Sequence, residues 1–156
     1  MPADDALRQL LSRSLAWPEA HLTLEEAVKG LPAAQRGKRP RGWAHSPWEI
    51  LEHIRLAQKD LLDFATRADY AAMEWPREYW PSSPKPPRAA SWAASLKAIA
   101  EDRAALQRLV ETVPDLLADV PSAKGKTILR SVLLVLDHNA YHVGQLALAK
   151  NLLGRR

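Results

Sequence analysis

Apolar residues recur at helical spacing in five stretches of the chain, separated by segments rich in proline and glycine. The stretches cover about residues 4–15, 23–30, 46–68, 92–113 and 127–153. In the third stretch, Ile50, Ile54, Ala57 and Leu61 fall on one helical face. The fifth is apolar nearly all round through Leu136, so we expect it to be the most buried helix. The pattern predicts an all-α fold, a four-helix bundle with long connections.

Local signals place the beginnings of these helices. T-L-E-E from Thr23 and S-P-W-E from Ser46 both have the form of a capping box, in which the first side chain and the glutamate three residues later satisfy free backbone N–H groups. Ser91 is expected to cap the fourth helix. Residues 115–126, with Pro121 and Gly125, are interpreted as another connection.

Composition narrows the class of protein. The 156 residues, 47% of them hydrophobic, suit one domain with a real core, which we take as residues 1–156. The chain has no cysteine, which excludes disulfides, thiolate metal sites and a cysteine nucleophile. Any metal site must therefore use histidine and carboxylate ligands, and any thiol chemistry needs a thiol from outside.

Charge and hydropathy indicate where the protein works. The N-terminus is acidic and polar, unlike a secretory signal, and the longest apolar run, residues 131–136, is too short to span a bilayer. We expect a cytoplasmic protein that does not enter a membrane. The net charge is +4, and residues 29–41 hold five basic residues and no acid. This segment is interpreted as a solvated surface loop rather than a nucleic-acid site.

The histidines carry the candidate chemistry. His138 and His142 are four residues apart on a predicted helix, so both rings project from one face and can chelate one cation. His53 is the candidate third ligand, because it lies in a long helix beside an apolar face, whereas His21 and His45 fall in connections. The alternative is three ordinary, partly buried histidines. The apolar setting favours a metal, which would satisfy several buried imidazoles at once.

Three motifs, in order, make the chain similar to a known family. They are S-P-W-E-I-L-E-H, E-Y-W-P-S-S-P and H-N-A-Y-H-V-G-Q-L, and together they span almost the whole sequence. The chain resembles the DinB/YfiT-like superfamily of bacterial four-helix-bundle metalloproteins. The resemblance implies a divalent nickel, zinc or iron ion held by His53, His138 and His142, and often a homodimer. It also implies a stress-response setting, and in some relatives enzymatic use of an external low-molecular-weight thiol.

Residues near the three histidines are candidates for contacting a ligand. Gln145 follows His142 on the same face and is predicted to bond a metal-bound water or a ligand ring, with a core amide as the alternative. Tyr141 offers a phenol to a pocket, or else packs in the core. Gly144 is expected to allow a close approach. Glu52 is expected to face solvent.

Residues 75–88 contain five prolines and form a long connection, which is typical of functional or mobile segments. Trp75, Tyr79 and Trp80 are interpreted mainly as anchors of this loop, and alternatively as the rim of the site.

Two functions fit this sequence. The first is a metal-dependent enzyme, a thiol transferase or hydrolase acting on a small molecule, in which three imidazoles leave a metal position open. No residue stands out as a general base, so the catalytic residues are not assigned. The second is a non-catalytic metal-binding stress-response protein that binds a small ligand or partner.

Overall fold

Five α-helices dominate the part of the chain that the computed structural model describes, residues 3–154. They are α1 (Ala3–Ser14), α2 (Leu24–Val28), α3 (Pro47–Thr66), α4 (Ser91–Thr112) and α5 (Ile128–Gly154). Short 3₁₀ turns at Ala33–Gln35 and Arg77–Tyr79 punctuate the two longest connections. The predicted all-α fold is confirmed, with α1, α3, α4 and α5 as the bundle helices.

The helix beginnings follow the capping signals at two of three sites. Both capping boxes form: the Ser46 hydroxyl accepts from the Glu49 N–H at 3.2 Å, and Glu49 accepts from the Ser46 N–H at 2.7 Å. Thr23 and Glu26 pair in the same way. The prediction for Ser91 is wrong, because its own N–H donates to the Arg88 carbonyl and the serine lies inside the helix.

The segment before α5 is not a plain connection. Two short antiparallel strands, β1 (Asp119–Val120) and β2 (Ala123–Thr127), form a hairpin there. Gly125 adopts a φ of +74°, and its N–H donates to the Asp119 carboxylate at 3.0 Å. Val120 is 3% exposed and packs in the core with Ile128, so the hairpin buries an apolar side chain that a solvated loop would leave exposed.

α3 is the central helix of the bundle, since both α4 and α5 pack against it. Twelve of its 20 residues are buried, against eight of 27 in α5. The prediction that α5 is the most buried helix is therefore wrong. Its apolar residues Leu134, Tyr141 and Leu148 are exposed. Apolar character around a helix shows what it can bury, whereas its position in the fold decides what it does bury.

Within the described residues, no helix combines the length and the apolar character needed to cross a bilayer.

Candidate metal centre

Three histidines from two helices meet between α3 and α5. His53 comes from the second turn of α3, and His138 and His142 come from successive turns of α5. His53 and His142 are 3% and 7% exposed, and His138 is half-buried. One ring nitrogen from each lies within 4.8 Å of the other two. The structure therefore brings together the three residues that the sequence singles out.

The outer nitrogen of each ring is turned toward an oxygen acceptor. His53 Nδ1 lies 2.8 Å from the Tyr79 carbonyl oxygen, and His142 Nδ1 lies 2.8 Å from Gln145 Oε1. His138 Nδ1 has a longer contact, 3.4 Å, with the Asn139 amide oxygen. A carbonyl oxygen only accepts hydrogen bonds, so Nδ1 carries the proton in this arrangement. Each Nε2 is then left with a lone pair.

These lone pairs face one another. His53 Nε2 and His138 Nε2 are 3.1 Å apart. With both Nδ1 atoms protonated, neither Nε2 can donate to the other, and two lone pairs in contact repel. A tetrahedral ion with metal–nitrogen bonds of about 2.0–2.1 Å would hold its ligand nitrogens roughly 3.3 Å apart. The residues present thus fit a small divalent cation, which would replace the repulsion with two bonds.

The protonation state of the cluster also suits a metal. Burial lowers the pKa of His53, and it lowers the pKa of His138 in the same way. For His142, burial lowers the pKa to about 4, with the neighbouring rings adding to the effect. All three imidazoles are therefore neutral at pH 7, which is the form that ligates metal ions.

A stack of three rings supports His53 from outside the cluster. The Trp80 indole lies parallel to the His53 ring, with 4.0 Å between centroids and 1° between planes. The ring of His45 covers the other face of Trp80 at 3.9 Å. His45 is therefore close to the cluster, but the indole separates it from the other histidines and it is not part of the ligand set.

Asp60 anchors the segment that supports His53. Its carboxylate accepts from the Tyr79 hydroxyl at 2.6 Å and from the Tyr70 hydroxyl at 2.8 Å. Tyr79 thus bonds to Asp60 through its side chain and to His53 through its carbonyl. Desolvation and hydrogen bonding to Asp60 raise the pKa of Tyr70 to about 12, so that hydroxyl remains a donor at neutral pH.

An open cleft of about 570 Å³ lies beside the histidines. Ala57, Leu61 and Leu134 give it an apolar floor, and the carboxylates of Asp60 and Asp137 line it as well. Aromatic rings complete the lining: Trp75, Tyr79, Trp80 and Tyr141. The proline-rich loop, residues 75–88, is therefore anchored on α3 and also borders the site, which agrees with both interpretations of its aromatic residues.

The other candidate residues have mixed outcomes. Gln145 holds the outer nitrogen of His142, and Tyr141 is 64% exposed at the cleft, with its ring edge-on to His142. Their contact with a bound ligand stays a prediction. Gly144 is exposed, and a Cβ there would meet no atom of the described chain within 4 Å, so the expected close approach of another helix is wrong, and that of a ligand stays a prediction.

Glu52 is buried, contrary to the expectation that it faces solvent. It is 8% exposed and accepts two hydrogen bonds from Arg55, at 2.9 and 2.8 Å, and one from the Ser95 hydroxyl on α4. The expectation failed because α4 packs over this face of α3 and brings its own polar partner.

The role of Asp60 was missed from the sequence. It lies seven residues after His53, hence on the same side of α3, which was the available signal. Its tyrosine partners come from a loop whose path the sequence does not show.

The basic segment at 29–41 is partly tied into the fold, since Arg39 pairs with Glu49 and the Arg36 guanidinium lies 4.8 Å from the centre of the Trp92 ring.

A family model described as the DinB superfamily matches residues 16–146, well over half of the chain. The match begins before α2, ends within α5 and includes all three clustered histidines. No curated protein and no solved structure matches the chain significantly.

Proposed function

The chain belongs to the DinB superfamily, and we propose that it binds one divalent metal ion, of the nickel, zinc or iron type, through His53, His138 and His142. The observation that supports this most directly is the convergence of one ring nitrogen from each of the three histidines within 4.8 Å of the others. The buried, neutral state of the rings suits the same role.

We further propose that the site serves an enzyme, a thiol transferase or hydrolase acting on a small molecule. Three protein ligands leave a metal position free, and a cleft of about 570 Å³ opens beside them. A divalent ion bound there would lower the pKa of a coordinated water or thiol. The residues of the chain hold the ligand: the apolar floor binds its carbon skeleton, and the aromatic rings limit the access of water. Because the chain has no cysteine, the thiol is an external one.

One observation favours a second, non-catalytic function. A base is needed for most such reactions, and the cleft carboxylate of Asp60 is already bonded by two tyrosine hydroxyls. Asp137 is the other carboxylate of the lining, and it is exposed. On this alternative, the protein binds a small ligand or partner at its metal in a stress response without converting it. The cytoplasmic location and the homodimer remain predictions, which cell fractionation and light scattering would test.

Metal titration tests the proposed site. The full chain is made without a histidine tag, stripped with a chelator, and titrated with Zn²⁺, Ni²⁺ and Fe²⁺ against a chromophoric competitor. We expect one ion per chain, confirmed by elemental analysis. The matched variants are His142→Ala, which removes a ligand, and His21→Ala, which removes an exposed histidine outside the cluster. Failure to bind any of the three ions, or equal loss in both variants, would overturn the proposal.

A further inference from the structure

We infer that the cleft takes a bipolar ligand, with a metal-binding donor such as a thiol at one end and a protonated amine at the other, joined by an apolar spacer. The inference rests on the proposed metal site and goes further by naming the charge of the ligand. The observation behind it is the distribution of charge in the lining. Two carboxylates, Asp60 and Asp137, line the cleft, and no lysine or arginine is among its lining residues in the described chain.

The carboxylates have room for an ammonium group. Both oxygens of Asp60 accept from tyrosine hydroxyls, which is the bonding pattern of an ionised carboxylate. Each carboxylate oxygen has a second lone pair, so one further donor fits on each. Asp137 is exposed and has no such partners in the described part of the chain, so its charge is free to attract a cation at the cleft.

The spacing of these groups along the groove sets the shape of the ligand. His53 and Asp60 are seven residues apart on α3, which is roughly 10 Å along the helix axis. Ala57 lies between them, and Leu61 and Leu134 continue the apolar floor. A ligand that reaches from the histidines to Asp60 therefore crosses apolar surface, which favours a carbon chain or ring over a polar spacer.

Aromatic rings add to the preference for a cation. Trp80 cannot offer a face, because His45 and His53 cover both sides of its indole. Trp75 and Tyr141 are 67% and 64% exposed, and both line the cleft. An ammonium group over such a ring is attracted by its quadrupole. The metal ion favours an anionic donor at its own end, so the two ends of the ligand are recognised by groups of opposite charge.

A matched series of thiols tests the inference. The probes are 6-amino-1-hexanethiol, 6-mercapto-1-hexanol and 6-mercaptohexanoate, which share one chain and differ in the charge of the far end. Binding to the zinc-loaded full chain, with metal content measured first, is followed by tryptophan fluorescence at low salt. We expect the amine to bind about tenfold more tightly than the acid, with the alcohol between them, and the difference to shrink at high salt.

Variants locate the preference. Asp60→Asn together with Asp137→Asn should remove most of the advantage of the amine over the acid. Asp5→Asn is a control for position, since it removes an exposed negative charge on α1, outside the cleft, and should leave the advantage intact. An acid that binds as tightly as the amine, or an advantage that survives in the double variant, would overturn the inference.

A second arm separates this inference from the metal proposal. Hexylamine and hexanoate are compared on metal-free protein, because the carboxylates are present whether or not an ion is bound. If the protein binds no metal but still prefers hexylamine, the metal proposal fails and the charge preference stands. If it binds metal and hexanoate competes equally with hexylamine, the metal site stands and the inference fails.

Discussion

Glu52 and His53 are neighbours on α3 and are buried to a similar degree, but their polar atoms are satisfied in different ways. Glu52 faces α4, and its carboxylate is satisfied by Arg55 of α3 itself and by Ser95 of α4. His53 faces α5, where its Nε2 lies 3.1 Å from the Nε2 of His138. The first cluster is complete within the chain, whereas the second would be completed by a cation. Burial alone therefore does not separate a structural polar residue from a functional one, but the balance of donors and acceptors does.

This difference predicts that the two positions fail in different ways. Removing a residue from a satisfied cluster leaves its partners unpaired and lowers stability. Removing a histidine from the other cluster takes away a metal ligand and therefore lowers metal affinity as well. Substitutions at adjacent residues can thus test whether the two clusters differ as described.

The largest expected effect is on metal affinity. His53→Ala should weaken binding at least about 100-fold, because it removes one of three protein ligands and loss of even a supporting residue costs 10–100-fold at metal sites. The free energy of unfolding of the metal-free variant should fall as well, because the truncation leaves the Tyr79 carbonyl without its donor and the Trp80 indole without one of its stacking partners. Chelator competition measures the first quantity and urea denaturation the second. Undiminished metal affinity in His53→Ala would show that the cluster is not the site.

The neighbouring substitution should lower stability without lowering metal affinity. Glu52→Ala leaves the Arg55 guanidinium and the Ser95 hydroxyl without their shared acceptor, and we expect it to lower the free energy of unfolding by about 2 kcal/mol. Metal affinity should change by less than threefold or so, since Glu52 does not touch the histidines. Urea denaturation without metal and chelator competition again supply the two readouts. A large loss of metal affinity with intact stability would mean that the two clusters are coupled.

The sequence was sufficient for the parts of this comparison that depend on local pattern. Helical spacing and two capping boxes placed α2 and α3, and the H-x-x-x-H spacing placed two imidazoles on one face of α5. His53 was found because it is a histidine inside a long helix beside an apolar stripe. These are properties of single segments, and a segment carries them wherever it packs.

What the sequence could not show depends on contacts between segments. Glu52 was expected at the surface because no residue near it in the sequence indicates a contact with Ser95, which is 43 residues away. Asp60 was missed for the same reason, since its two tyrosines arrive on a loop. The β-hairpin before α5 was interpreted as a plain connection because its strands are two and five residues long, too short to show an alternating pattern.

A smaller effect is expected from pH on the metal-free protein. The pKa of His142 is about 4 in the folded state because of burial, against about 6.5 in an unfolded chain. As the pH falls from 6.5 to 4, the unfolded state binds a proton that the folded state does not. The free energy of unfolding therefore decreases through this window, and the loss is complete below pH 4. Urea midpoints at several pH values measure it.

His142→Ala is the variant that isolates this contribution, and His21→Ala is its control. Stability of His142→Ala should depend less on pH between 4 and 6.5, whereas His21→Ala should behave as the unmodified protein does. An unchanged pH dependence in His142→Ala would mean that the acid sensitivity comes from other groups.

The smallest effect expected comes from two tyrosines that share one carboxylate. Tyr79→Phe and Tyr70→Phe each remove one hydrogen bond to Asp60, of 2.6 and 2.8 Å, and each should lower the free energy of unfolding by about 1 kcal/mol. The two tyrosines differ in their link to the histidine cluster, because the backbone carbonyl of Tyr79 accepts a hydrogen bond from His53 Nδ1. Loosening Tyr79 therefore loosens the orientation of a metal ligand, and we expect metal affinity to fall about threefold in Tyr79→Phe and not in Tyr70→Phe. Chelator competition on both variants measures this, with urea denaturation to confirm that the stability losses match. Equal metal affinities at matched stability would mean that backbone packing holds the Tyr79 carbonyl in place without Asp60, and that the incomplete cluster is oriented by α3 alone.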